Sequence, residues 1–484
     1  MNTVLLISTL LLIAHWVIIL GLSLRIIMQR RPTGVTLAWM AIIFGVPYAG
    51  VGLYILFGEK RLGRTYLRRT AEILGVLQET RGRDEPTPEV EAGLASVGAE
   101  LLHRHCRRVA GFVGHAGNNV TLLTDFEAVF DALIADINDA RHTCDLEFYI
   151  WHTGGRADDV AEAVMNAARR GVSCRVSLDA LGSKAFARAG GPRHLRDAGV
   201  RVVEALPVGL LRALFARTDL RNHRKIAVMD GKVAYTGSQN LVDPRYFKQD
   251  SGVGEWVDAM VRVKGPAVRS LAETFEVDWC RETGESFEPL EPVNTGRPPT
   301  TDDAIIQVVP SGPAHRPDAI HQLLLTTIYL AREELIITTP YFVPDDATTT
   351  ALLSAALRGV EVTIILPARN DSLLVRYASA AGFDDLLSAG VRIAQFTGGL
   401  LHTKSITVDR KLCVFGSVNL DMRSIWLNFE ISLFIYGRKA TGHVRDLQQR
   451  YIEQSDMLDL TTWRKRPYAN RLVENTLRLF GPLL

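Results

Sequence analysis

Two histidines in this chain stand in the same local setting. One arrangement reads His223-x-Lys225-x4-Asp230 followed by Gly237-Ser238-x-Asn240, and the other reads His402-x-Lys404-x4-Asp409 followed by Gly416-Ser417-x-Asn419. In both, the serine lies 15 residues after the histidine. Each cluster offers a titratable imidazole, a fixed cation and two neutral hydrogen-bonding side chains. A phosphodiester needs this mix: it carries one negative charge and resists nucleophiles, so a site must neutralise its oxygens while one imidazole attacks phosphorus. A second imidazole must protonate the departing alcohol. Near neutral pH histidine serves in either state. His223, Lys225, Asp230, His402, Lys404 and Asp409 are therefore read as the catalytic set, with Ser238, Asn240, Ser417 and Asn419 binding the phosphate. An acidic partner would fix each ring's tautomer, and one follows each cluster: Asp258 in Glu255-Trp256-Val257-Asp258, and Glu430 in Leu427-Asn428-Phe429-Glu430. Asp230 and Asp409 have a second reading, as caps of a turn through a side-chain bond to the backbone.

The elements that must carry these residues are legible in the pattern around them. Ile226 to Met229 and Ser405 to Val408 are apolar enough to be strands, and a period of two puts His and Lys on one face. Asp230-Gly231-Lys232 and Asp409-Arg410-Lys411 read as hairpin turns that bring Ser and Asn back toward that face. The surroundings repeat as well. Ala140-Arg141, a strand ending Phe148-Tyr149-Ile150, a helix ending Arg170-Gly171-Val172 and the strand Cys174 to Leu178 are answered by Ala331-Arg332, Leu335 to Thr339 with Tyr341-Phe342, a helix ending Arg358-Gly359-Val360, and Val362 to Leu366. One His-x-Lys arises easily by chance; two in register inside a duplicated block do not. The expected body is two similar α/β domains, 119–280 and 301–458, joined by a proline-rich linker at 281–300, with one composite site between pseudo-twofold halves.

Outside this body the chain changes character. The first 24 residues and the stretch Pro32 to Gly58 carry no charged side chain, which predicts two transmembrane helices at about 3–24 and 34–57 within 1–60. Gly45, Ala49 and Gly52 would share a face that lets helix backbones approach. A juxtamembrane basic segment and linker, 61–118, follows. Lys60, Arg61, Arg64, Arg68 and Arg69 outnumber Arg25, Arg30 and Arg31 in the intervening turn, which favours a cytoplasmic body. Leu210, Leu211, Leu214 and Phe215, interleaved with Arg212, Arg217 and Arg221, make an apolar and basic approach to His223, and the tail 459–484 is amphipathic. With 55 basic and 53 acidic side chains there is no global field to attract nucleic acid. Five scattered cysteines give neither a disulfide framework nor a zinc pattern.

The paired motifs resemble the phospholipase D superfamily, and within it the bacterial cardiolipin synthase A type. The resemblance extends through the two N-terminal spans, Val242-Asp243-Pro244-Arg245-Tyr246-Phe247-Lys248-Gln249-Asp250, Leu400 to Lys404, Asn419 to Ser424, Trp426 to Glu430 and the terminal Gly481-Pro482-Leu483-Leu484. It implies two phospholipase D-like domains behind a two-helix membrane hairpin in a bacterial inner membrane. It also implies reversible phosphatidyl transfer between two phosphatidylglycerol molecules, giving cardiolipin and glycerol without metal or cofactor. His223 would be the nucleophile, forming a phosphatidyl-histidine, and His402 the acid. Partners would be those two lipids and the bilayer, with no nucleic acid. A membrane-bound phospholipase D that admits water is the alternative; a non-catalytic scaffold is a third reading, disfavoured by two complete clusters.

Overall fold

The computed structural model describes residues 2–29, 33–58, 62–81, 85–209, 217, 219–290, 303–314 and 316–478. The chain divides into two compact units, Met1–Arg64 with Val208–Asp219, and the remainder.

The larger unit is built on one long sheet. Its first half holds β1 (His115–Leu123), β2 (Thr143–Phe148), β3 (Ser173–Asp179), β4 (Arg201–Ala205), β5 (Lys225–Met229), β6 (Val233–Gly237) and β7 (Met260–Lys264). The second holds β8 (Ala304–Ser311), β9 (Glu334–Thr338), β10 (Glu361–Pro367), β11 (Arg392–Phe396), β12 (Ser405–Val408), β13 (Leu412–Gly416) and β14 (Glu430–Tyr436). The spatial order is β4-β3-β2-β5-β6-β7-β1-β8-β14-β13-β12-β9-β10-β11, with Ser455–Met457 added beyond β11. Outward from the antiparallel β1–β8 pair the two halves repeat strand for strand, so the duplication expected from sequence is a pseudo-twofold inside a single sheet. β2, β3 and β4 are parallel, as are β9, β10 and β11. Helices such as Arg156–Arg169 and Asp346–Leu357 make the crossovers. One core cluster spans both halves, from Val261, Leu271 and Phe275 to Ile306, Leu433 and Leu447.

The hairpins β5–β6 and β12–β13 turn through residues with positive φ at both central positions, Asp230 (52°) and Gly231 (61°), and Asp409 (50°) and Arg410 (58°). These are type I′ turns, the kind whose twist matches a strand pair. Asp230 accepts backbone N–H bonds from Arg141 (3.1 Å), His142 (2.8 Å) and Thr143 (2.9 Å). Asp409 does the same for Arg332 (3.0 Å), Glu333 (2.8 Å) and Glu334 (2.9 Å). Each aspartate thus ties its turn to the start of the neighbouring strand. At roughly 3.3 Å per residue they stand at the far end of β5 and β12 from the histidines. These bonds are the turn-capping contacts of their second reading.

Residues 61–118 also differ from the expected linker. Arg64–Arg81, Pro88–Val97 and Glu100–Ala110 are helices, and Val90, Leu94, Leu102, Cys106 and Val109 pack into the core with Ile320, Leu323 and Ile337. Their apolar spacing of three and four residues is the helical signal. The helix Ala267–Thr283 runs past the expected boundary at 280; residues 291–300 of the expected linker lie outside the described residues. The tail helices Leu460–Arg464 and Tyr468–Arg478 dock on the second half, with Trp463 and Phe383 ring centroids 5.4 Å apart.

In the smaller unit, the helix Asn2–Met28 contains a 24-residue stretch, Leu5–Met28, long and apolar enough to cross a membrane. The second apolar run is not the expected single helix. It forms Thr33–Gly45 and Pro47–Leu53, followed by a π-helical turn at Tyr54–Gly58. A residue before proline is steered out of the helical region, and Val46 sits at φ −135°, ψ 72°. The close approach falls at Gly50, where an added Cβ would lie 2.5 Å from the Ile42 carbonyl oxygen; at Gly45 and Gly52 it would meet open space.

Replacing Asp230 by Ala leaves three N–H donors without their acceptor. We expect thermal unfolding to show a loss of about 1–2 kcal/mol, in the range of a lost helix cap, while turnover per folded molecule is retained.

Candidate active site

The segments that enter the two histidines pair across the pseudo-twofold. Asn222 forms a parallel bridge with Phe429; His223 N–H donates to Phe429 O (2.9 Å) and Phe429 N–H to Arg221 O (2.9 Å). Leu400–Leu401 pairs in parallel with Trp256–Val257; His402 N–H donates to Val257 O (2.8 Å) and Leu400 N–H to Glu255 O (2.9 Å). Parallel pairing sets the residue after Phe429 beside His223 and the residue after Val257 beside His402. His223 Nδ1 lies 2.9 Å from Glu430 Oε2, and His402 Nδ1 lies 2.7 Å from Asp258 Oδ1. The acids are exchanged between halves. Sequence order, in which Asp258 follows the first cluster and Glu430 the second, does not disclose this.

The Gly-Ser-x-Asn segments explain themselves in the same geometry. A Cβ at Gly416 would sit 2.2 Å from Ile431 O, and one at Gly237 would sit 2.5 Å from Ala259 O, so only glycine lets the acid-bearing strand lie this close. Ser417 donates to Glu430 Oε2 and accepts from Ile431 N–H (2.9 Å). Ser238 accepts from Ala259 N–H (3.0 Å) and donates to Ala259 O (3.2 Å). The serines fasten the acid-bearing segments. Lys225 and Lys404 are buried, and each spends one N–H on the carbonyl of its own histidine, His223 or His402, at 2.6 Å. Asn240 accepts from Ile150 N–H (3.1 Å) through Oδ1, leaving Nδ2 buried without a partner. Asn419 uses Nδ2 on Ser424 (3.0 Å) and leaves Oδ1 unpartnered; a half-turn of this amide would match it to Asn240. Two ammonium groups and an amide donor thus remain for an anion.

Aromatic rings close the site, and sequence reasoning did not assign them. Tyr149 meets His223 edge-on at 4.9 Å, Trp256 lies 4.4 Å from His402, and Tyr341 lies 6.5 Å from His402. Their only signal was a position at the ends of repeated strands. A buried ionic cluster holds the approach to His223: Asp179 binds Arg221 (3.2 Å) and Asn222 N–H (2.9 Å), Asn222 binds Glu147, and Arg224 binds Glu430 O (3.0 Å), Ser311 O (3.1 Å) and Asp278. At the equivalent place in the second half Thr403 meets the Tyr451 hydroxyl at 3.1 Å. Of the apolar and basic approach at Leu206 to Arg224, residues 210–216 lie outside the described residues.

Burial pushes both imidazoles down to about 4, against the pull of Glu430 on His223 and Asp258 on His402. Burial thus favours the neutral form of both rings. Burial raises Glu430 and Asp258, yet the facing histidine and lysine outweigh it and hold both carboxyls below the ordinary range. Burial lowers Lys225 to about 8 and Lys404 to about 7. A bound phosphodiester adds a negative charge among these bases and raises all four. The ligand thereby charges the site that holds it, and one neutral imidazole can become the acid the leaving group needs. Among the described residues no group of three or more His, Cys, Asp or Glu side chains is arranged to hold a metal ion.

Comparison with known proteins gives a consistent picture. A family model described as cardiolipin synthase, PLD-like domain, matches residues 133–279 and 324–452, and a phospholipase D-nuclease N-terminal model matches 16–59. Cardiolipin synthase A of Klebsiella pneumoniae (strain 342) is 47% identical over 479 residues, and that of Serratia proteamaculans (strain 568) 46% identical over 486, each match covering 99% of both chains. The crystal structure of phosphatidylserine synthase from Haemophilus influenzae Rd KW20 shares the fold with a TM-score of 0.56 at 14% identity, covering 79% of this chain and 97% of that one.

The depressed lysines fix an alkaline limit. Turnover of a phosphodiester needs the ammonium form, so kcat/KM should fall as pH rises through about 7 to 8. The unfolded chain holds these protons to higher pH, so the same rise stabilises the fold. We expect the activity loss to occur with no fall in melting temperature attributable to either lysine.

Proposed function

Because this chain belongs to the cardiolipin synthase family of phospholipase D-like proteins, we propose that it joins two phosphatidylglycerol molecules into cardiolipin and glycerol at the site described above. The carrying observation is the exchanged pairing: each imidazole is fixed through Nδ1 by an acid of the other half. That leaves the two Nε2 atoms to act on one phosphorus. His223 Nε2 attacks the first lipid, the bond from phosphorus to the glycerol oxygen breaks, and His402 supplies the proton to the leaving alcohol. The primary hydroxyl of a second lipid's glycerol then attacks the phosphatidyl-histidine. Its proton passes to His402 as the P–N bond breaks. Lys225, Lys404 and Asn240 hold the phosphoryl oxygens throughout. One phosphodiester replaces another, so the exchange needs no nucleotide and runs backward with added glycerol.

The protein is membrane-associated through Leu5–Met28. We read the helix pair of the second apolar run as a further, kinked crossing. The excess of basic residues at 60–69 over the turn at 25–31 favours a catalytic body in the cytoplasm of a bacterial cell. The bodies 119–280 and 301–458 supply one half of the site each. A membrane-bound phospholipase D would use the same residues and differ in product, phosphatidic acid in place of cardiolipin.

Purified protein given only phosphatidylglycerol should form cardiolipin, and His223→Ala and His402→Ala should each retain less than a few per cent of that activity while folding normally. Covalent lipid should accumulate in His402→Ala and not in His223→Ala; the reverse would exchange their roles. Activity should also survive exhaustive chelation. A loss on EDTA that magnesium restores would contradict charge neutralisation by Lys225 and Lys404.

A further inference from the structure

The acceptor in this reaction is itself a phospholipid, so a second phosphate that does not react must be held within a three-carbon bridge of the first. Lys225 and Lys404 are committed to the reacting one. The Trp256 ring that packs on His402 also carries another cation, Lys248. Its backbone is left-handed, at φ 50° and ψ 36°, a conformation that favours glycine and here is held by its surroundings. Its ammonium lies 5.6 Å from the Phe247 ring and 5.3 Å from the Trp256 ring, and Trp256 in turn packs 4.4 Å from His402. The Trp256 indole N–H is buried with no acceptor.

The second half meets this shelf from the other side. Asp371 binds Lys248 Nζ at 3.0 Å through one oxygen and the Tyr341 hydroxyl at 2.9 Å through the other, and Tyr341 faces His402. Arg369, exposed, reaches Gly252 O at 3.4 Å across the same seam. Asp371 spends both oxygens on positioning, whereas Lys248 spends one of its three N–H groups, and its side chain is 47% exposed. An ammonium stiffened by two rings and a carboxylate, next to an unsatisfied indole donor, is a pre-organised place for one monoanionic phosphodiester.

Resting on the phosphatidyl-transfer reading above, we propose that Lys248, with the Trp256 N–H, holds the non-reacting phosphate of the acceptor lipid and so selects a phospholipid hydroxyl over glycerol or water. The attacking hydroxyl is then delivered to the phosphatidyl-histidine by the anchored headgroup.

The test compares two acceptors in full-length enzyme with phosphatidylglycerol in detergent micelles. Cardiolipin formation needs an acceptor with a phosphate; exchange of radiolabelled glycerol into phosphatidylglycerol needs one without. Lys248→Met keeps the stem against the rings and removes the charge. It should lower cardiolipin formation at least tenfold more than it lowers glycerol exchange, and Lys248→Arg should recover most of that ratio. Equal losses in both reactions would mark Lys248 as structural and overturn the subsite, as would an unchanged ratio. A wild-type enzyme that yields mainly phosphatidic acid contradicts the transferase reading itself and removes the subsite with it; a wild type that makes cardiolipin beside an indifferent Lys248→Met removes the subsite alone.

Discussion

Each of the two motif imidazoles is held by a carboxylate that the other half of the molecule supplies. His223 with Glu430 and His402 with Asp258 are buried pairs, and neither half contains a complete orienting pair by itself. Withdrawing a carboxylate from water is costly, and that cost is offset only when its partners are fixed. Here they are fixed by short parallel pairings of backbone, Asn222 with Phe429 and Leu400–Leu401 with Trp256–Val257, and by Ser417 on Glu430. The continuous sheet through β1 and β8 is the frame that keeps those pairings in register. Under the proposed reaction the pseudo-twofold is a catalytic requirement, since sliding one half along the other would separate both rings from their acids together.

Twofold geometry does not make the two rings equivalent. The approach to His223 is braced by Arg224, Asp278, Asp179 and Arg221, all buried, whereas the approach to His402 rests on Thr403, Tyr451 and Trp256. The ionic brace fixes backbone at both ends of the His223–Glu430 pair, because Arg224 binds the carbonyl of Glu430 itself. A ring that must attack phosphorus gains most from such fixed aim, and a ring that moves a proton tolerates a softer, aromatic support. This difference agrees with His223 as nucleophile and His402 as acid, an order that the spacing of residues alone leaves open.

The histidines, lysines and hairpin turns were legible in the sequence because they obey local rules. A period of two places His and Lys on one face, and Asp-Gly marks a type I′ turn. The duplication was legible because strand, helix and glycine recur in the same order. The exchange of Asp258 and Glu430 was not, since sequence order records which residues are near in the chain and not which strands pair across a symmetry axis. The contacts of the serines are hidden for a related reason: a hydroxyl beside an acid-bearing strand and a hydroxyl beside a phosphate look alike as Gly-Ser-x-Asn. At Pro47 two signals compete, because composition over Pro32 to Gly58 says apolar while the restriction on Val46 says broken. In residues 61–118 the helical signal is the spacing of Val90, Leu94, Leu102 and Val109, which the basic residues around it mask.

The exchanged pairing is most directly tested by a burst experiment on a phosphatidyl ester of p-nitrophenol, a leaving group that needs no proton. With such a substrate the first displacement requires only the nucleophile, and later turnover requires the acid–base. Glu430→Gln should suppress the initial burst of nitrophenolate, as loss of His223 would, and Asp258→Asn should keep the burst and slow the turnover that follows, as loss of His402 would. With His223 identified as the nucleophile by covalent lipid trapped in His402→Ala, a burst abolished by Asp258→Asn and preserved by Glu430→Gln would mean that each acid serves the histidine of its own half and that the exchange across the twofold is wrong.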